Sequence, residues 1–393
     1  MDFENIKFNL KSGYKTGYIS TIGANAYGVI KSENEPVVFV PYTLPEEKVA
    51  YEIIESHQDY CMARLLDVIE PSSKRVKPEC PIFQTCGGCN FLHTDYDEEL
   101  KIKQNVLLET LKKIGKIEPD FAFEVISSPM RFNYRNNAHI KTTNEGNIGF
   151  FENKSLNVVP FPSFECKLLT LRINSFLKQL DRHFFLFTRG FTIRDGKEIY
   201  TAHLNYSSDS KFCEYTVNNF TYRVGISDFF QVNSHLLNIF QSKVVSLIDP
   251  YLKTVELYGG SGFFSLPLAT KMKELTVNEI SSRASENGKY NAKLNKVDNI
   301  KFIASDASIF MKKVDNVSQI LVDPPRAGLE KNVIESIENL KIKKLIYVSC
   351  NPATFARDFS YLRSSGFELT SLILIDNFPG TFHTELISLI TRD

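Results

Sequence analysis

The sequence predicts an α/β protein whose last third forms a doubly wound, mainly parallel sheet. From Val255 onward, short apolar runs alternate with helix-length segments, which is typical of parallel strands joined by crossover helices. Several of these runs stop abruptly at polar residues, as buried strands do at the carboxyl edge of such a sheet. Residues 1–70 differ, because they hold five or so short strand-like runs punctuated by glycine and show no helical period. They predict a small β-barrel ahead of the α/β part.

The composition is that of an ordinary folded protein. Hydrophobic residues make up 43% and charged residues 23% of the 393 positions, so we expect two or three domains with ample core. Lys plus Arg and Asp plus Glu both number 46, so the net charge neither supports nor opposes a nucleic-acid partner. The sequence shows no leader pattern and no run of eighteen apolar residues, which predicts a cytoplasmic protein without a membrane segment. We expect it to act as a monomer.

Two segments are candidates for contact with RNA. Small barrels like the one predicted for residues 1–70 often bind nucleic acid, although a barrel that only packs on its neighbour fits the pattern equally well. The candidate phosphate contacts there are Lys11, Lys15 and Lys31. In the mixed α/β middle part, residues 129–141 place Arg131 and Arg135 among aromatic and amide side chains, which suits phosphate contact and base stacking. A pair of polar strands would explain this composition as well.

Seven cysteines in a chain without an export signal indicate metal binding or catalysis rather than disulfides. Cys80, Cys86 and Cys89 lie within ten residues, with two glycines before Cys89, and could form a local clamp for a soft metal or a cluster. Cys166, which follows two prolines, is the predicted fourth ligand. Four thiolates suit either zinc or an iron–sulfur cluster, and the spacing does not separate the two. Buried free cysteines are the alternative.

The last third carries the sequence pattern of a nucleotide-like cofactor site. A strand at 254–258 runs into the turn Gly259–Gly262, where a backbone without side chains can approach a ligand. Glu279 ends the next strand and suits a ribose, while Asp306 ends a third and suits an adenine amine. Asp323 then opens a DPPR turn. This order is expected of an S-adenosylmethionine-dependent methyltransferase, whereas a nicotinamide dehydrogenase explains only its first two elements.

Cys350 follows the apolar run Leu345–Val348 and is predicted to lie at the same edge of the sheet. A thiol there is either a small buried hydrophobe or a nucleophile. Methyl transfer to carbon 5 of uracil needs such a group, because a thiolate that adds to carbon 6 turns carbon 5 into a nucleophile. A base must then remove the hydrogen on carbon 5. On residue type alone, Glu385 and His383 both fit that role.

Nine segments taken together resemble the RNA uracil-C5 methyltransferases. They are VFVPYTLPEE, CPIFQTCGGC, YRNNAHIK, IGFFENKS with Cys166, DFFQVN, ELYGGSG, DPPRAGL, VSCNPAT and FHTE. The resemblance implies a TRAM-like, OB-like RNA-binding domain at 1–70, a central α/β iron–sulfur domain at 71–222 and a Rossmann-like class I methyltransferase domain at 223–393. This chain departs from the family pattern at Glu256, Gly259 and Phe263, where aspartate, cysteine and a polar residue are usual, and the last change puts a side-chain cofactor contact in doubt.

The resemblance also implies roles for individual residues. Cys350 would be the nucleophile and Glu385 the base that removes the proton. The positions implied around S-adenosylmethionine are Gln231, Tyr258, Glu279, Asp306 and Asp323. The positions implied as ligands of a [4Fe-4S] cluster are Cys80, Cys86, Cys89 and Cys166.

The combination of a TRAM-like domain with four cluster cysteines favours 23S ribosomal RNA as the substrate, with tRNA as the alternative. The target uridine is expected in a loop and flipped out of its stack, because carbons 5 and 6 cannot be reached by thiol and methyl donor inside a helix. A non-catalytic RNA-binding protein that has kept the fold is a third hypothesis. The presence of Cys350, Glu385 and Asp323 together argues against it.

Overall fold

The computed structural model describes residues 13–33, 35–120, 123–180, 189–203 and 212–392. Lys11 therefore lies outside the described residues. The chain divides into two compact units, one formed by Met1–Val106 with Gly380–Phe382 and the other by Leu107–Pro379 with His383–Asp393. The division into three domains at residues 70 and 222 stays a prediction.

The first unit is built on a six-stranded sheet. Its strands are β1 (Lys15–Tyr18), β2 (Thr21–Ile22), β3 (Tyr27–Ile30), β4 (Val37–Pro41), β5 (Lys48–Ser56) and β6 (Tyr60–Glu70). They are ordered β1-β5-β6-β4-β3-β2, and every neighbouring pair is antiparallel except β4 and β6. Alternate apolar side chains such as Val38 and Val40 are buried in its core. The described part of the N-terminal segment is thus a β domain, with Lys15 and Lys31 exposed.

The helices of the chain are short, and most follow a strand. Their bounds are α1 (Tyr96–Thr110), α2 (Leu171–Gln179), α3 (Leu237–Ser246), α4 (Ser265–Ala269), α5 (Ser282–Leu294), α6 (Ala307–Met311), α7 (Lys331–Asn339) and α8 (Pro352–Ser364). A single π-type turn over Leu111–Gly115 extends α1. No helix among the described residues is long and apolar enough to cross a bilayer.

The second unit contains three sheets. Its strands are β7 (Glu124–Ile126), β8 (Asn137–Thr142), β9 (Ile148–Phe151), β10 (Val158–Pro160), β11 (Gly190–Asp195), β12 (Ile199–His203), β13 (Phe212–Val217), β14 (Phe220–Gly225), β15 (Thr254–Leu257), β16 (Leu275–Glu279), β17 (Ile300–Ala304), β18 (Gln319–Val322), β19 (Lys344–Ser349), β20 (Glu368–Ile375) and β21 (Glu385–Thr391). The five-stranded sheet has the order β10-β9-β8-β11-β12, and β13 pairs with β14 alone.

The third sheet has eight strands in the order β17-β16-β15-β18-β19-β21-β20-β7. Strands β15 to β19 are mutually parallel, as the alternation of apolar runs and helices predicts. Alternate side chains of the strands enter two different cores, so that Leu321 packs with α3 and α4 while Ile320 packs with α6, α7 and α8. This arrangement confirms the doubly wound α/β prediction. The strand order reverses between β15 and β18, where such sheets leave a crevice for ligands.

Strand β21 is antiparallel to both of its neighbours in the eight-stranded sheet. β21 is antiparallel to β19, and Ser349 lies opposite Leu386 in the register of the pair. The end of β19 therefore lies beside the beginning of β21. This pairing sets Cys350, which follows β19, next to Glu385, which opens β21.

Candidate active site

A thiol and two acidic side chains that the sequence singles out gather at one edge of three adjacent strands. Asp323 follows β18, Cys350 follows β19 and Glu385 begins β21, and these three strands are neighbours. Glu385 is buried, whereas Cys350 and Asp323 are each half-buried. A thiol and two carboxyl groups thus share one small volume at the edge of the sheet.

Burial raises the pKa of all three groups, and for Cys350 and Glu385 the charge of a neighbouring carboxyl group adds to the shift. Burial raises the pKa of the Cys350 thiol to about 11, with further contributions from the charges of Glu385 and Asp323. Burial likewise holds the pKa of Glu385 well above its usual range, and Asp323 adds to the effect. Burial raises the pKa of Asp323 to about 7. The positive charge of Arg326 opposes the shifts of Cys350 and Glu385, so this guanidinium favours their ionised forms.

The contact between Arg326 and His383 bears on the choice of base. Nη2 of Arg326 lies 2.7 Å from Nδ1 of His383. Because a guanidinium can only donate, Nδ1 of His383 accepts this hydrogen bond and cannot carry a proton at the same time. The Nδ1 lone pair of His383 is therefore already used, which favours Glu385 as the base at this edge.

The glycine turn after β15 has the form expected of a cofactor site. Gly260 and Gly262 have φ values of 55° and 91°, in the left-handed region that favours glycine. A Cβ at Gly259 would lie 2.2 Å from Cγ1 of Val277, so the backbone passes directly over β16. Tyr258 is half-buried and also has a positive φ, 62°. The turn leaves backbone, rather than side chains, facing the crevice.

The two predicted acids beside this turn are held by backbone amides. Glu279 accepts hydrogen bonds from the N–H groups of Gly260 at 2.9 Å and Ser281 at 2.8 Å, so its carboxylate is fixed at the end of β16. Asp306 caps α6, because its Oδ1 accepts from the N–H groups of Ser308 and Ile309. These bonds, with that of the Ser308 hydroxyl first, lower the pKa of Asp306. Each carboxylate keeps acceptor capacity for a ligand hydroxyl or amine.

Gln231 is positioned by residues that sequence reasoning did not single out. Asn377, in the loop after β20, donates from Nδ2 to Oε1 of Gln231 at 3.2 Å, and Asn136 donates to the backbone oxygen of Gln231 at 3.1 Å. All three side chains are buried. The Gln231 amide is thereby oriented with its NH2 group left as the donor. A single asparagine in a turn gives no sequence signal for this role.

The segment 129–141 contributes to the same scaffold. Tyr134 is completely buried and donates its hydroxyl to the backbone oxygen of Pro379 at 2.9 Å. Arg135 is half-buried and forms isolated bridges with Asn233 and Leu169. The described contacts of these residues thus hold loops of the second unit together. RNA contact by the segment stays a prediction.

Phe263, a departure from the family pattern, is part of the core. Its ring packs within 5.5 Å of the Phe230 ring and 4.8 Å of the Phe264 ring, and its backbone oxygen accepts from Tyr222 and Gln241. The side chain is therefore engaged in aromatic packing, which explains why a polar residue is not required here for folding.

The predicted cluster cysteines are divided between the two units. Cys80, Cys86 and Cys89 belong to the first unit and Cys166 to the second, and all four are half-buried. Burial raises the pKa of Cys86, an effect that Cys80 increases and the Gly88 N–H opposes. Within the described ranges, no three His, Cys, Asp or Glu side chains form a group that could hold a metal ion. The donor chemistry suits a cluster, but the structure assembles none, and the cluster stays a prediction.

Among the residues that the structure describes, neither oxygen atom of the buried Glu256 carboxyl group has a well-aligned hydrogen-bond partner. Burial raises its pKa to about 8, a shift that Asp323 and Glu279 increase and the Ser265 hydroxyl opposes. Folding therefore favours the protonated form of Glu256, and its contribution to stability is lost as the pH rises from about 4.5 through about 8.

We therefore expect the substitution Glu256→Gln to stabilise the ligand-free protein at neutral pH. The gain should be roughly 2–3 kcal/mol at pH 7 and should vanish near pH 4, where both folded and unfolded chains bind the proton. Thermal denaturation of both proteins between pH 4 and 8.5 measures it, with the exposed Glu274→Gln as the matched control. A pH-independent effect of Glu256→Gln would contradict this account.

Comparisons with known proteins show which enzymes the chain is similar to. A family model described as tRNA (uracil-5-)-methyltransferase matches residues 211–393. An RNA methyltransferase of Aquifex aeolicus is 30% identical, with 91% of this chain and 94% of the relative covered. The 23S rRNA (uracil(1939)-C(5))-methyltransferase RlmD of Legionella pneumophila is 28% identical over 98% of both chains.

Among solved structures, the tRNA (uracil-54, C5)-methyltransferase of Pyrococcus abyssi, in complex with S-adenosyl-L-homocysteine, has the same fold. Its TM-score is 0.76 at 24% identity, and the match covers 96% of this chain and 99% of that one. The Aquifex relative shows that the chain belongs to the RNA methyltransferases, and the family model identifies residues 211–393 as the part shared with the S-adenosylmethionine-dependent enzymes that act on carbon 5 of uracil.

Proposed function

We propose that this protein methylates carbon 5 of a uridine in 23S ribosomal RNA, with Cys350 as the nucleophile and Glu385 as the base. The observation that carries the proposal is the adjacency of a thiol and a buried carboxyl group at the ends of paired strands β19 and β21. Methylation of an unactivated ring carbon requires these two groups within reach of one base.

In the first step, the Cys350 thiol releases its proton to solvent, and the resulting thiolate sulfur adds to carbon 6 of the uracil. The electron pair of the C5–C6 bond moves toward the carbonyl oxygen on carbon 4, so that carbon 5 becomes nucleophilic. Arg326 favours this step, because its charge lowers the pKa of Cys350 against the opposing effect of the two carboxyl groups. S-adenosylmethionine, when bound, supplies the electrophilic methyl group.

In the last step, Glu385 removes the hydrogen from carbon 5. The released electron pair restores the C5–C6 double bond, and the Cys350 thiolate leaves carbon 6. The raised pKa of Glu385 suits this role, because a carboxylate in a buried site is a stronger base than one in water. His383 is a poorer candidate, since its Nδ1 already accepts from Arg326.

Gln231, Tyr258, Glu279, Asp306 and Asp323 are the residues proposed to surround S-adenosylmethionine. The glycine turn and the two amide-held carboxylates support this assignment, because they offer a close backbone approach beside fixed acceptors for ribose hydroxyls and an adenine amine. Gln231 offers an oriented amide donor, and Asp323 follows the strand across the switch point from the turn.

The choice of ribosomal RNA over tRNA is supported by the name of the Legionella relative, which aligns over nearly the full length of both chains. A tRNA substrate is the alternative, since the solved archaeal tRNA enzyme shares the fold. In either case we propose that the uridine is flipped from its stack to reach Cys350. The TRAM-like N-terminal domain as an RNA contact, the cytoplasmic location and the monomeric state belong to the same proposal.

We also propose that Cys80, Cys86, Cys89 and Cys166 hold a [4Fe-4S] cluster, with zinc as the alternative metal. Four half-buried thiols, three of them within ten residues, support the idea, because thiolates are the usual ligands of such clusters. No step of the reaction above passes through this group.

RNA that contains 5-fluorouridine tests the covalent step, because fluorine on carbon 5 cannot be removed as a proton. Wild-type protein should accumulate a covalent RNA adduct that survives denaturing electrophoresis, and Cys350→Ala should form none. Cys61→Ala, which alters a thiol of the first unit, should trap as wild type does. Equal trapping by Cys350→Ala and wild type would remove Cys350 as the nucleophile.

Glu385→Gln separates the two chemical steps on natural RNA. Addition and methyl transfer should still occur, but the proton on carbon 5 should remain. The variant should therefore accumulate a methylated covalent adduct and lose turnover by roughly a hundredfold or more. Electrophoresis with labelled methyl donor detects this adduct. Turnover within threefold of wild type would show that another group is the base.

The cluster is tested by anaerobic purification of the full chain. We expect a brown protein with broad absorption near 400 nm and about four iron and four sulfide per chain. Cys86→Ser should lose that absorption, whereas Cys213→Ser, at a buried thiol of the second unit, should keep it. One zinc per chain in place of iron would rule out the iron–sulfur assignment.

A further inference from the structure

Two turns carry the charged groups of the active site, and one helix holds them both. The first turn, residues 323–329, carries Asp323 and Arg326, and the second carries Cys350 directly before α8. Side chains of α8 donate to the backbone of the first turn from Asn351, Thr354 and Arg357. A fourth, the buried Asp358, accepts the N–H of Leu329 at 2.7 Å.

The first turn depends on these contacts for its shape. Pro324 and Pro325 have no N–H groups to donate, so the backbone hydrogen bond from the Gly328 N–H to the Pro325 oxygen, at 2.8 Å, is joined by these contacts from the helix. Gly328 has a φ of 80°, and a Cβ there would lie 2.4 Å from Oδ2 of Asp358. The turn therefore packs closely against α8, and side chains of this helix hold the backbone of the turn in place.

Asn351 contacts both turns and is bonded directly to Cys350. Its Oδ1 accepts the N–H of Ala353 at 3.1 Å and caps α8, while its Nδ2 donates to the backbone oxygen of Arg326 at 3.0 Å. Only one orientation of the amide satisfies both bonds, since one partner is a donor and the other an acceptor. Its own N–H donates to Oγ of Ser349 at 3.1 Å, which fixes the backbone on both sides of Cys350.

We propose that Asn351 is a positioning residue that sets the spacing between the Cys350 thiol and the Arg326 guanidinium by bridging their two turns. The inference rests on the proposed function, in which Cys350 attacks carbon 6. Thr354 supports the same oxygen atom of Arg326 at 3.2 Å, but it lies one turn further into the helix and does not adjoin Cys350. Asn351 alone among the described residues combines the helix cap, the bridge and a peptide bond to the nucleophile.

The residue type required at position 351 follows from the two bonds. Serine and aspartate cap helices about as well as asparagine does, but neither can donate to the Arg326 oxygen as the amide does. Serine is too short to span both partners, and aspartate would place a carboxylate against a carbonyl and beside the thiol. Asn351→Ser therefore removes the bridge and keeps the cap.

The test compares wild type, Asn351→Ser and Ser364→Ala, an exposed position at the far end of α8. Thermal stability should be unchanged in both variants. The rate of adduct formation with 5-fluorouridine RNA and the kcat for methyl transfer should fall roughly tenfold to a hundredfold in Asn351→Ser, because a misplacement near 1 Å has effects of this size. KM for S-adenosylmethionine should stay within about twofold of wild type, and Ser364→Ala should match wild type throughout.

Adduct rate and kcat of Asn351→Ser within twofold of wild type would overturn the proposal and leave Asn351 as a helix cap only. A loss of stability with a rise in KM, at unchanged kcat, would also contradict it. Failure of the proposed function is seen separately, because wild-type protein would then form no adduct.

Discussion

The antiparallel pairing of β21 with β19 is the constraint on which the active site depends. In a sheet of parallel strands, the groups that follow each strand meet at one edge, but residues that begin a strand lie at the other. Because β21 runs in the opposite direction, its first residue, Glu385, lies at the edge where β19 ends with Cys350. Strand β21 thus adds a buried carboxyl group, the proposed base, to an edge that the parallel strands alone would leave with a thiol and no such partner.

The ionisable groups at this edge all favour their protonated forms more than the same groups do in water. The thiol of Cys350 and the carboxyl groups of Asp323 and Glu385 all have raised pKa values, and Arg326 is the cation that opposes them for Cys350 and Glu385. A protonated thiol is a weak nucleophile, and a protonated carboxyl group is a weak base. Each group therefore has to lose its proton before it can take part in the proposed reaction. The position of Arg326 therefore matters, and α8 holds it through the backbone of its turn rather than through its side chain.

The sequence predicts which residues lie at the carboxyl edge of the sheet. It does not predict the hydrogen bonds and packing contacts that position them. Apolar runs that end in Asp323 or Cys350 predict residues at the carboxyl ends of buried strands, and the structure confirms both positions. The buried carboxyl of Glu256 could not be foreseen, since burial of both oxygens depends on packing from several elements. The same holds for Asn377, whose hydrogen bond to Gln231 joins residues 146 positions apart in the chain.

The basic and aromatic composition of residues 129–141 fits two interpretations, an RNA-binding surface and a pair of polar strands. Tyr134 and Asn136 are buried and hold the loops that bear Pro379 and Gln231, although the same letters would suit an RNA surface. Periodicity alone cannot separate these cases, because both place polar side chains beside a strand end. Whether such a side chain is buried or exposed depends on residues that are distant in the sequence. A local sequence pattern therefore cannot predict it.

Methyl transfer from labelled S-adenosylmethionine to separate pools of undermodified ribosomal RNA and tRNA tests the central claim most directly. Nucleoside analysis should find labelled 5-methyluridine in 23S ribosomal RNA and none in tRNA. Product in tRNA alone would contradict the proposed substrate while keeping the chemistry at Cys350 and Glu385. Absence of product in both pools, from protein that binds S-adenosylmethionine, would contradict the proposed reaction itself.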